Sequence, residues 1–86
     1  MIWTGNAQTR KVWSVDDHQE RIGRRIARAR EAKHWSQRQL GDAIGVGETQ
    51  ISRYENGRIA PKRRRLEAIA NALGVPAETF FYDPPA

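Results

Sequence analysis

The chain has no cysteine. Disulfide staples and cysteine-ligated zinc are therefore excluded. Its apolar residues are scattered, and no run approaches the roughly 18 needed to span a membrane. Met1–Asn6 is neither basic enough nor long enough to open a secretory signal. Hydrophobic residues make up only 38% of the 86. That length suits one compact domain with a small core and leaves no room for two. The expectation is a soluble, cytoplasmic chain built as a bundle of short helices.

Only two histidines occur, His18 and His34, with no acidic cluster between them. No metal site and no cofactor are expected. The sequence also lacks a nucleophile elbow, a phosphate-cradling glycine loop and any histidine–acid constellation. An enzyme is the weakest reading. RNA binding is open on charge alone, but no aromatic-faced sheet is suggested.

What the chain does have is positive charge. Fifteen Lys and Arg stand against ten Asp and Glu, a net charge of +5. A basic excess favours polyanions: DNA, RNA or an anionic membrane surface. Its distribution is uneven, with four consecutive cations at Lys62-Arg63-Arg64-Arg65. A solvated surface explains such runs equally well, so the choice of partner must come from pattern.

Residues 1–16 carry Trp3, Trp13 and Arg10-Lys11 but no helical period. Lys11–Val15 alternates weakly, as a short strand would. The segment reads as an irregular N-terminal arm, open to three roles: disorder, a cover over the domain, or a contact with a second subunit. The domain itself is expected over 17–82, with 83–86 a tail. A first helix begins near Asp16 or Asp17, with Ile22, Ile26 and Ala29 forming its apolar stripe. Ser36 caps a second helix, and Ser36…Gln39 matches a capping box. Leu40, Ala43 and Ile44 are expected to point inward, and Gly45 to end that helix in a left-handed turn. A third helix covers Glu48–Glu55, with Ile51 and Tyr54 inward. A fourth starts near Pro61 and carries Leu66, Ile69, Ala70 and Leu73. Ala77–Tyr82 closes the domain as a short fifth helix or turn. The fold class is all-α, with five helices.

The stretch Ser36-Gln37-Arg38-Gln39-Leu40-Gly41-Asp42-Ala43-Ile44-Gly45-Val46-Gly47-Glu48-Thr49-Gln50-Ile51-Ser52-Arg53-Tyr54-Glu55-Asn56-Gly57 resembles the lambda-repressor-like (Cro/C1, Xre) helix-turn-helix family. The likeness extends upstream to Ile22-Gly23-Arg24-Arg25-Ile26 and downstream to Leu66, Ala70 and Leu73-Gly74-Val75, covering about residues 20–82. The arm is not part of it. Three positions depart from the family pattern. His34 stands where Gly or Asn is usual, Gly47 where Ser or Thr caps the third helix, and Gly41 where Ala is commoner.

The resemblance implies a dimeric, sequence-specific regulator of double-stranded DNA, most simply a repressor on a palindromic operator. The third helix would be the probe for the major groove. Taking Ile51 as inward, about 100° per residue turns Thr49 and Arg53 outward, flanked by Gln50 and Ser52. Glu48 sits at the tip. Arg53 suits guanine, Gln50 adenine, Thr49 a thymine methyl and Glu48 the cytosine amino group. Phosphate contacts are expected from Ser36, Gln37, Arg38, Asn56, Arg58, Lys62, Arg63 and Arg64. Four cations at a helix N-terminus oppose its dipole, which favours a partner anion there. By the same resemblance, Arg30 and Glu55 form a partly buried ion pair that fixes the third helix. Self-contact is expected around Phe80, Phe81 and Tyr82. The family also includes antitoxins, whose main partner is a toxin, and restriction–modification controllers. Both remain open as alternatives.

Overall fold

The computed structural model describes the backbone of residues 15–81 and the side chains of residues 18–80. Residues 11–14 of the strand expected at 11–15, the tryptophans of the arm, Tyr82 and the tail lie outside the described residues. Among the described residues five helices follow one another: α1 Val15–Ala32, α2 Gln37–Ile44, α3 Glu48–Glu55, α4 Arg63–Leu73 and α5 Glu78–Phe81. There is no strand among the described residues. Val15, expected at the end of a strand, is the first residue of α1, and Asp16 and Asp17 follow it inside the first turn.

Each helix end has a local cause. Ser36 Oγ accepts from Gln39 N at 3.0 Å, and Ser36 N donates to Gln39 Oε1 at 2.7 Å. That reciprocal box satisfies two of the donors a helix start leaves unpaired. Gly45 ends α2 at φ 78°, a left-handed conformation that costs glycine no Cβ clash. Gly47 sits extended before α3 without any side-chain cap bond, as its missing side chain dictates. His34 turns the α1–α2 connection at φ 61°, the one non-glycine residue at positive φ among the described residues. Histidine tolerates that region better than most residues, at a cost of about 1 kcal/mol.

Two elements differ from expectation. α4 begins at Arg63 rather than near Pro61, with Lys62 as its extended N-cap. Pro61 is buried in the approach to the helix, and the residue before a proline is biased toward extended backbone. Ala43 is exposed, not inward. The buried stripe of α2 runs through Leu40 and Gly41, with Ile44 at its margin. That rotates Ala43 out to solvent.

The core is one cluster. Ile22 and Ile26 from α1, Leu40 from α2, Ile51 and Tyr54 from α3, Leu66, Ile69, Ala70 and Leu73 from α4, and Phe80 from α5 all meet in it. Phe80 is fully buried within the protomer. This corrects its expected role in self-contact: a side chain sealed under α1 and α4 offers nothing to a second copy. α5 thus serves as a plug that closes the bundle.

Two glycines mark where backbones nearly touch. A Cβ on Gly23 would lie 2.6 Å from the Glu55 carbonyl and closer still to that of Tyr54. α1 therefore rests directly on the end of α3. A Cβ on Gly41 would lie 2.5 Å from the Val46 carbonyl. The small residue at 41 admits the turn, whose Val46 N also bonds the Gly41 carbonyl at 2.9 Å.

Candidate nucleic-acid interface

α3 is held on three sides. Its inward face buries Ile51 and Tyr54. Leu40 and the partly buried Ile44 and Val46 back it from α2 and the turn. α1 presses on its C-terminal end through Gly23. The remaining edge faces water: Glu48, Thr49 and Arg53 are exposed, while Gln50 and Ser52 are half-buried. The five residues expected to read bases thus divide into an exposed outer set and two flanking residues.

The flanking pair is engaged within the protein. Gln50 Nε2 donates to the Tyr54 hydroxyl at 3.2 Å. The Asn56 amide, at the end of α3, donates to the Ser52 carbonyl at 2.9 Å and to Ser52 Oγ at 3.3 Å. Asn56, expected on a phosphate, directs its donors back into α3 in this structure and closes the helix.

A second network ties α3 to the start of α2. Arg30 Nε donates to Glu55 Oε2 at 2.6 Å, and its Nη2 to Oε1 at 3.1 Å. This is a bidentate, charge-assisted pair of the stronger kind. The two side chains are 12% and 6% exposed, so solvent screens them little. The Glu55 carboxylate raises the Arg30 guanidinium above its ordinary value by direct hydrogen bonding, against a smaller opposing effect of burial. The charge on Arg30 is permanent at any working pH. Arg30 also donates through Nη1 to the Trp35 carbonyl at 2.7 Å. Gln37 Nε2 completes the set by donating to Glu55 Oε1 at 3.0 Å. One carboxylate therefore joins α1, the first residue of α2 and the last residue of α3.

That network constrains how Gln37 can meet a phosphate. One amide hydrogen is committed to Glu55. Its second hydrogen and the backbone N–H groups of Gln37 and Arg38 remain. Those N–H groups lack intrahelical acceptors because they lie in the first turn of α2. A helix N-terminus of this kind is suited to an anion. Ser36 and Arg38 stand exposed beside it.

Another side of α3 borders a cleft of about 520 Å³ between α3 and α4. Its wall includes Gln50, Tyr54, Ile59, Lys62, Arg64 and Arg65. Ile59 is the exposed large hydrophobic residue among those described. Arg58 is exposed in the same loop. The four consecutive cations do not act as one group. Lys62, Arg64 and Arg65 line the cleft, whereas Arg63 pairs with Glu67 at 3.4 Å one helical turn on. Arg65 was not singled out from sequence, although its spacing held a signal. It lies four residues before Ile69 and three before Ala68, so its stem follows the apolar side of α4. The i, i+4 spacing of Gln50 and Tyr54 carried the same kind of hint.

Among the described residues no group of three or more His, Asp or Glu gathers, and no helix is long and apolar enough to cross a membrane.

Comparison with known proteins agrees with this architecture. The helix-turn-helix family model matches residues 26–80. An HTH-type transcriptional regulator of Sinorhizobium fredii, y4wC, is 42% identical over 84 residues, covering 96% of this chain and 57% of the relative. A transcriptional regulator in the ATPase CF(0) region of Rhodospirillum rubrum is 40% identical over 77 residues, covering 90% of this chain and 68% of the relative. The chain thus spans a little over half of one relative and about two thirds of the other. The crystal structure of a hypothetical transcription factor, NHTF, from Neisseria superposes with a TM-score of 0.73 at 28% identity. That match covers 83% of this chain and 82% of the other. A turn between two short helices, a probe helix with one solvent-facing edge and a family match over most of the domain lead to one assignment: the chain belongs to the lambda-repressor-like (Cro/C1, Xre) helix-turn-helix family of DNA-binding transcriptional regulators.

Proposed function

We propose that this protein is a homodimeric repressor that reads a palindromic operator with α3 in the major groove. The observation that carries the reading is the division of α3. Glu48, Thr49 and Arg53 are exposed on a helix whose other sides are packed or hydrogen-bonded. A rigid helix with a free polar edge is what base recognition requires. Glu48, Thr49, Gln50, Ser52 and Arg53 face or flank the base edges. Ser36, Gln37 and Arg38 anchor one phosphate strand at the start of α2. Arg58, Lys62 and Arg64 meet the backbone beyond the C-terminal end of α3, with Arg63 and Asn56 in lesser roles. Two protomers on a two-fold axis would place half-sites about 34–36 Å apart.

The test is unbiased selection of bound duplexes from a randomised pool, with sedimentation of the free protein and its best complex. A palindromic consensus bound by two copies is expected. A protein monomeric both free and on its best site would overturn the dimer. Selection that returns no sequence preference would overturn the reading role of α3.

A further inference from the structure

We infer that Tyr54 is a positioning residue for base reading: its hydroxyl holds the Gln50 amide ready to pair with adenine. The inference rests on the proposed role of α3 as the reader. Gln50 and Tyr54 stand four residues apart on one side of α3, and Gln50 Nε2 donates to the Tyr54 hydroxyl at 3.2 Å.

The hydroxyl is a fixed point. Tyr54 is 5% exposed, so its ring has no room to swing. Its backbone is pinned as well. The Tyr54 carbonyl lies directly against Gly23 of α1 and accepts from Gly57 N at 3.2 Å. The packing that seats α3 on α1 therefore also sets where the hydroxyl stands. Gln50 is half-buried at the margin of the cleft, between that hydroxyl and the exposed edge of α3.

The chemistry of the tether matters. A glutamine amide has two N–H hydrogens and one carbonyl oxygen. One hydrogen goes to Tyr54. The other, with Oε1, is the donor and acceptor pair that adenine N7 and its amino group require. A glutamine without the tether must give up rotamer freedom when it binds, which weakens both affinity and discrimination. Tyr54 has removed part of that freedom beforehand. The residue therefore acts on specificity without touching a base.

The experiment compares selected sites for the unmodified protein, Gln50→Ala, Tyr54→Phe and the double variant, with a thermal melt of each. Gln50→Ala is expected to cut adenine preference at one pair per half-site by about tenfold or more. Tyr54→Phe should cut it at the same pair by about two- to tenfold, the worth of one hydrogen bond. Preference at the pair read by Arg53 should stay, with the melting temperature little changed. The double variant should be no worse at that pair than Gln50→Ala. Loss in Gln50→Ala with full preference in Tyr54→Phe would overturn the positioning role and leave the reader intact. No loss of preference in Gln50→Ala would remove Gln50 from the reading set, and the inference with it. Equal losses at every pair in Tyr54→Phe, with a lowered melting temperature, would mark a purely structural role.

Discussion

The two sides of α3 are built on opposite principles. On the side facing α1 and α2, Glu55 gathers Arg30 and Gln37, with its carboxylate almost sealed from water. On the opposite edge, the Thr49 and Arg53 side chains are exposed and make no hydrogen bond or ion pair among the described residues. The first arrangement spends its polar groups on the fold. The second keeps them for a partner. A probe must be both rigid and chemically unsatisfied, and this helix separates the two demands by face.

The largest effect should follow from breaking the satisfied side. Glu55→Ala would leave the Arg30 guanidinium without its partner in a region closed to water. Removing one member of such a pair costs about 3–5 kcal/mol. For a domain of this size that corresponds to a fall in melting temperature of at least about 12 °C. Calorimetry or circular dichroism would measure it. A fall of only a degree or two would mean that water reaches the pair freely and that the two sides of α3 do not differ as argued.

Next comes the backbone contact beneath the same side. Gly23→Ala places a methyl 2.6 Å from the Glu55 carbonyl, against main chain that cannot give locally. Overpacking of this kind costs about 1–3 kcal/mol. Gly41→Ala should cost less, although it too meets a carbonyl, at 2.5 Å. Both variants gain about 0.5–1 kcal/mol of helix propensity, so the difference lies in the neighbour met, which at 41 belongs to a turn rather than to a packed helix. Equal destabilisation of the two variants in urea would show that the α1–α3 contact is no tighter than the turn.

The exposed edge should behave in the opposite way. Arg53→Ala is expected to leave stability within about 0.5 kcal/mol, as surface substitutions do. It should remove about 1–3 kcal/mol of discrimination at one pair per half-site. A melting shift as large as that of Glu55→Ala would place Arg53 on the structural side.

Much of this division was legible in the sequence. The α2–turn–α3 unit rests on local signals: the Ser36…Gln39 box, Gly45 as a left-handed stop, and the alternation of Ile51 and Tyr54 with polar residues. Such signals act over a few residues and survive without tertiary context. The failures have tertiary causes. Ala43 fits a helical stripe, yet the stripe of α2 is rotated by the close approach of the turn to Gly41, which only the folded chain creates. Phe80 was expected in self-contact, yet α5 folds it back under α1 and α4. Gly23 appeared only as part of a family resemblance. Its function as the seat of α3 depends on which backbone lies opposite. The separation of Arg63 from its neighbours depends on where α4 starts. Pro61 suggested a start there, but the chain stays extended through Lys62.

That separation leads to the smallest expected effect, and it tests the comparison at its margin. Arg64 lines the cleft beside α3, whereas Arg63 is turned toward Glu67. The Arg63–Glu67 pair is largely exposed, at 77% and 50%, so it adds little to stability. Its effect is on availability: a cation near a carboxylate is a weaker phosphate ligand than one aimed into a basic cleft. Arg64→Ala should therefore weaken binding on all sequences alike and flatten the salt dependence by about one unit of slope, one released counterion. Arg63→Ala should change the slope by clearly less. Neither should alter the consensus, because phosphates carry no sequence. If Arg63→Ala flattens the slope as much as Arg64→Ala, all four cations from Lys62 to Arg65 act as one patch, and the cleft has no special claim on the backbone.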